Sequence, residues 1–197
     1  RVLSFDEADL EKRRSLLDEC ERLSRELGND VGLGWVAYLR GVTFMDEGRL
    51  DPARTTLEEA AALFGRLGRR WEATNAEISV GYTLLDPDRH AEARPLLERA
   101  LADAVALAST ASTIEVLVLL AAVRIETDAV AATRLLGAVR GIADQHGHEL
   151  DPRLEGRVFE RTEETARERL GQSFETELAA GSGLTLEEAI ELALRTA

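Results

Sequence analysis

The sequence predicts an all-α protein, a stack of antiparallel helical hairpins, and three observations predict it. Ala, Leu, Glu and Arg, all strong helix formers, dominate a chain with only four prolines and 5% aromatics. One short segment recurs at a spacing of 40, 40 and 39 residues, as Arg13-Arg14-Ser15-Leu16-Leu17, Ala53-Arg54-Thr55-Thr56-Leu57, Ala93-Arg94-Pro95-Leu96-Leu97 and Ala132-Thr133-Arg134-Leu135-Leu136. Each copy then carries a small or apolar residue (Cys20, Ala60, Ala100, Val139) and ends on Gly28, Gly68, Ala108 or Gly147.

The elements follow in order. A first helix over about 6–27 runs from the acidic start to Gly28, since glycine past the last apolar residue supplies the left-handed conformation that stops a helix. A second, over 31–46, carries Gly41 and ends at the turn Asp46-Glu47-Gly48-Arg49. The third, over 51–67, opens with Pro52, whose missing donor costs little near a helix start. Helices over 70–85 and 89–107 repeat the pair around Gly81 and the turn Asp86-Pro87-Asp88-Arg89. Pro95 falls in the second turn of its helix and is expected to shift that start or bend it. Helices over 110–126 and 129–146, joined by Glu126-Thr127-Asp128, complete the repeats.

Residues 1–150 are therefore assigned to the repeats, and 151–197 to capping helices of the same domain. Within the cap, 152–171 reads as one long charged helix with Leu154, Val158, Ala166 and Leu170 on its apolar side. A short helix over 185–196 opens with Thr185-Leu186-Glu187-Glu188, an N-cap Thr with Glu three residues on, the pattern of a capping box.

A net charge of −13 repels phosphate backbones and anionic lipid, and Lys12-Arg13-Arg14 and Arg69-Arg70 are flanked by acids, so no direct nucleic-acid or membrane contact is expected. The single cysteine excludes an internal disulfide, and no signal peptide or apolar run of about 20 residues appears, which leads to the expectation of a cytoplasmic protein. One lysine against 23 arginines is the usage of a GC-rich bacterial genome, and a start at Arg1 rather than Met is expected of a piece of something longer.

The repeat resembles the tetratricopeptide pattern. Gly41, Phe44, Ala53, Leu57 and Ala60 match its small, aromatic, Ala, large apolar and Ala positions in one unit, and Gly81, Leu84, Ala93, Leu97 and Ala100 come close in the next. A third unit, Ala121, Arg124, Ala132, Leu136 and Val139, is degenerate; Ala37, Glu77 and Leu117 stand where the pattern has Trp. The resemblance implies a right-handed α-solenoid, with helices longer than those of the 34-residue repeat. Ala132–Ala138, Asp151-Pro152, Phe174 and Leu184–Ile190 further resemble the end of the helical-repeat region in actinobacterial LuxR-type and SARP-type regulators, where the repeats accompany ATPase, cyclase or DNA-binding modules. What this resemblance implies is a non-catalytic sensor region that binds a protein segment or small inducer. A regulatory tail of an ATPase or nucleotide cyclase, and a scaffold that forms homo-oligomers, are the alternatives.

No catalytic or cofactor constellation is legible. Gly32-Leu33-Gly34 and Gly181-Ser182-Gly183 lack the rest of a nucleotide fingerprint and read as turn or helix-entry glycines. His146 and His148 have no carboxylate at helical spacing to complete a metal site. Cys20, at the small packing position of its repeat, is expected to be buried and inert. Adjacent pairs such as Glu58-Glu59 point apart on a helix and cannot share one bond.

The resemblance does imply a concave groove. By register it is lined by Trp35, Tyr38, Val42, Met45 and Asp46; by Asn75, Ile78, Tyr82, Leu85 and Asp86; and by Glu115, Val118, Ala122, Ile125 and Glu126. Aromatic anchors beside a few polar groups suit a peptide or small ligand. The same aromatics could equally pack between neighbouring helices, and the sequence leaves both readings open.

Overall fold

The computed structural model describes residues 7–195, with side chains from residue 9 onward, and all regular structure among them is helical. The chain forms two compact units, one ending at Leu84 and the other beginning at Leu85. Among the described residues no helix is long and apolar enough to cross a membrane.

The first unit holds α1 (Glu7–Glu26), α2 (Asp30–Asp46), α3 (Leu50–Arg66) and α4 (Arg70–Tyr82). Successive helices pack on each other. The α1–α2 pair is antiparallel: Arg13 reaches Asp46 at 2.7 Å, while Arg40 holds Asp18 at 2.9 Å and Glu21 at 2.8 Å. Glycines set the α2–α3 spacing, since a Cβ on Gly34 would stand 2.7 Å from the Phe64 ring and one on Gly41 would stand 2.6 Å from Leu57 Cγ. Against them α3 presents Ala53, Leu57, Ala60 and Phe64, all without exposed surface. The small positions of the repeat thus work as places of close helix approach, which fixes the interhelix distance more tightly than apolar burial alone does.

The turns repeat more finely than the sequence suggests. The amide of Asn29 bonds the Ser24 carbonyl, Arg49 bonds Phe44, Arg69 bonds Phe64 and Ser109 bonds Ala104, all at 2.8–3.0 Å. In each turn the preceding residue is left-handed, with φ of 62° at Gly28, 73° at Gly48, 70° at Gly68 and 51° at Ala108. This is the Schellman end of a helix. The forty-residue repeat is therefore two helix–turn units of equal length. It is interrupted after α4, where the side chain of Asp86 caps the amide of Asp88 and Pro87 opens a 3₁₀ turn instead.

The second unit contains α5 (His90–Ala106), α6 (Thr110–Arg124), α7 (Ala129–His146), α8 (Pro152–Leu154), α9 (Glu160–Leu170), α10 (Phe174–Ser182) and α11 (Leu186–Leu194). Helix α6 is buried on nearly every side, from Ile114 and Val116 through Leu120 to Val123, as its apolar sequence requires. It packs against α5, α7 and α11, and α7 in turn carries α9, α10 and α11. Arg124, buried at the end of α6, donates to the carbonyls of Leu192 and Arg195 at 2.8 and 3.0 Å and pairs with Asp128 at 2.9 Å, closing the end of α11. Pro95 lies inside α5 on an exposed face, and the helix runs through it.

Two elements depart from the sequence reading. The expected helix over 152–171 is divided into α8, a π turn over Glu155–Phe159, and α9. Around the wider turn Leu154, Val158 and Phe159 are all buried. Helix α10 was not foreseen. Gly181, read as a turn or helix-entry glycine, lies in the last turn of it and is buried, because α10 crosses α7 at backbone contact: a Cβ on Gly137 would stand 2.1 Å from the Leu178 carbonyl oxygen. The capping box of α11 is formed as expected, with Glu188 N to Thr185 Oγ1 at 3.2 Å and Thr185 N to Glu188 Oε2 at 2.8 Å.

Candidate functional site

In the first unit, α2 and α4 both pack on α3, and a side-chain contact joins them. The hydroxyl oxygens of Tyr38 and Ser79 are 3.5 Å apart. Ser79 donates to the Asn75 carbonyl at 3.0 Å, which leaves the phenol free to donate to Ser79. Trp35 stands one turn before Tyr38, edge-on to it with centroids 5.7 Å apart, and edge-on to Phe64 at 5.5 Å. Asn75, Ser79 and Tyr82 share one face of α4 by their spacing of four and three, as Trp35, Tyr38 and Val42 do on α2.

Burial separates the candidate residues. Trp35, Tyr38, Asn75 and Tyr82 are half-buried, so each packs one side and offers another to solvent. Val42, Met45 and Ile78 are buried core residues, 8%, 5% and 5% exposed, and present almost no surface to a ligand. The register carried over from a shorter repeat turns these three inward because the closely packed α3 draws α2 and α4 around it. Trp35 and Tyr38 serve both roles that the sequence left open, as they flank the Ala60–Phe64–Ala76 core while keeping an outer edge.

The second unit holds Glu115 and Val118, both on α6. Val118 has no exposed surface. Glu115 is half-buried, and its carboxyl is pushed up to about 7, first by burial and then by the negative charge of Asp151, against the pull of Arg153. Asp151 itself is held below the usual carboxylate range, chiefly by the Arg153 guanidinium, which grips it at 2.7 and 3.0 Å. An acid that titrates near neutrality is suited to proton transfer or to pH sensing. Its spacing along the chain gives no hint of this, since the shift comes from burial and from Asp151, 36 positions away.

Cys20 is exposed rather than buried. In α3, which packs on both α2 and α4, the corresponding Ala60 has no exposed surface, whereas α1 packs chiefly on α2. Among the described residues no group of three or more His, Cys, Asp or Glu side chains could hold a metal ion. The chain matches no family model, no curated protein and no solved structure.

Proposed function

We propose that this chain is a non-catalytic binding module, the tetratricopeptide-like solenoid region of a bacterial multidomain transcriptional regulator, which takes a protein segment or small inducer. What supports the reading is the Tyr38–Ser79 contact. It joins residues 41 apart on α2 and α4, close to the spacing of the sequence repeat, beside a half-exposed strip of Trp35, Tyr38, Asn75 and Tyr82. Such a strip combines rigid aromatic anchors with polar groups, the composition of binding hot spots. A displayed library of random peptides panned against the protein tests it. Binders are expected to lose affinity by about tenfold or more with Tyr38→Ala or Trp35→Ala. Binders indifferent to both substitutions would remove the α2–α4 face from consideration.

A second reading, self-association, has its own observation. Leu16, Cys20 and Leu23 on α1 and Leu27 in the turn after it recur at spacings of four, three and four, and all are exposed. That is the seam spacing of paired helices. A mass that rises with concentration, and falls back on Leu23→Glu, favours this reading; a constant mass excludes it.

A further inference from the structure

Within the second unit a cleft of about 170 Å³ opens between the 3₁₀ turn before α5, the end of α6, the π turn and α9. Its floor is apolar, made by Leu85, Ala122, Ile125 and Val158. Arg157, Arg161 and His90 stand around it. Glu126 is the acidic residue in the lining, and it is neutralised by Arg169, which holds both its carboxylate and its backbone carbonyl. Arg161 is exposed and makes no ion pair among the described residues. Cationic charge is thus collected at one concave place in a chain whose net charge is −13.

The π turn is what brings these groups together. Its extra residue turns Val158 and Phe159 inward and leaves Arg157 and Arg161, one turn apart, at the rim. Such turns recur at functional sites because they re-aim side chains at a cost in helix regularity. The threonines of the lining are already committed as donors: Thr162 Oγ1 bonds the Val158 carbonyl at 2.7 Å and Thr165 Oγ1 bonds Arg161 at 3.0 Å. Their remaining lone pairs can only accept. His90 is fixed by Nε2 donating to the Leu85 carbonyl at 3.1 Å. Recognition of a negative head group therefore falls to the Arg161 guanidinium, with the positive charge of Arg157 one turn away, since a guanidinium presents paired N–H donors to carboxylate or phosphate oxygens.

We propose that this cleft is a binding site for a small oxyanion, a carboxylate or phosphate monoester with a compact apolar body. The guanidinium of Arg161 holds the head group beside the positive charge of Arg157, and the body rests on Ala122, Ile125 and Val158. The volume admits roughly ten non-hydrogen atoms, so the ligand is a small metabolite rather than a peptide or nucleotide. The site does not depend on the aromatic strip of the first unit.

Calorimetry and amide chemical-shift titration of the full chain with inorganic phosphate, phenyl phosphate and benzoate test the proposal. Saturable binding is expected, weakened about tenfold by Arg161→Gln and blocked by Ala122→Leu, which fills the floor. Arg66→Gln, which removes an exposed cation from α3, is the control and should change nothing. Phenyl phosphate binding well above benzoate identifies a phosphate ligand; the reverse order identifies a carboxylate. No saturable binding by any of the three, or equal loss on Arg66→Gln, would overturn the site and leave only counterion attraction. Circular dichroism of Arg161→Gln and Ala122→Leu separates lost binding from lost folding. If either variant is unfolded, shifts confined to the Arg157 and Arg161 amides in the parent chain decide the matter.

Discussion

A Cβ placed on Gly181 of α10 would stand 2.0 Å from the carbonyl oxygen of Arg134 on α7, far inside van der Waals contact. Gly137 and Gly141 make the same kind of approach from α7, facing the backbone of Leu178 and Ser182. Where the obstructing atoms are backbone, no side chain can swing aside to admit a methyl group. Gly137→Ala and Gly181→Ala should each cost about 3 kcal/mol or more, read as a lowered denaturant midpoint. Gly65→Ala is the control, because a Cβ there meets nothing within 4 Å and the helix gains propensity; it should stabilise α3 by about 0.5 kcal/mol.

Ala108 occupies the left-handed turn position that glycine fills at three equivalent places, with φ of 51°. The steric cost of that conformation for a residue with a Cβ exceeds what glycine adds to the entropy of the unfolded chain. Ala108→Gly is therefore expected to raise stability by about 0.5–1 kcal/mol in thermal unfolding. A fall instead would mean that the α5–α6 turn is not of this type in solution.

Glu115 makes the second unit more stable at mildly acidic pH. Its carboxyl keeps its proton up to about 7 when folded, against an ordinary 4.5, so between these values the folded state binds more protons than the unfolded one. Stability must then fall as pH rises through that window, by at most roughly 3 kcal/mol. Glu115→Gln should unfold later than the parent at pH 8 and lose most of that advantage at pH 4. Parallel pH profiles for the two proteins would show that the carboxyl is solvated.

Cys20 should react with a thiol-specific disulfide reagent in the native protein, at about one equivalent per chain and within about tenfold of the rate in denaturant, because it is exposed on α1. Protection that disappears on dilution would instead indicate that the stripe through Leu16 and Leu27 is covered by a second copy.

The helices themselves were legible in the sequence because their signals are local. Gly28, Gly48, Gly68 and Gly147 stop helices through their own backbone freedom, and Thr185 with Glu188 starts one through two reciprocal hydrogen bonds. Periodicity found α1 to α7 for the same reason, since an apolar stripe is a property of a single segment. Helix α10 escaped because its residues commit to a helix only against α7, where Gly137 and Gly181 permit contact that a hydrophobic pattern does not record.

The site was legible only in part. The sequence placed Trp35, Tyr38, Asn75 and Tyr82 on common helix faces, as a fixed spacing along α2 and α4 does. Tertiary packing decided how far each is covered, turning Val42, Met45, Ile78 and Val118 into core while leaving Cys20 outside. It also decided the charge of Glu115 and the gathering of Arg157, Arg161 and His90 around one cleft. Helix propensity, capping and turn geometry act over a few residues and are written in order along the chain. Burial and electrostatic environment are set by residues dozens of positions away, and exist only once the helices have packed.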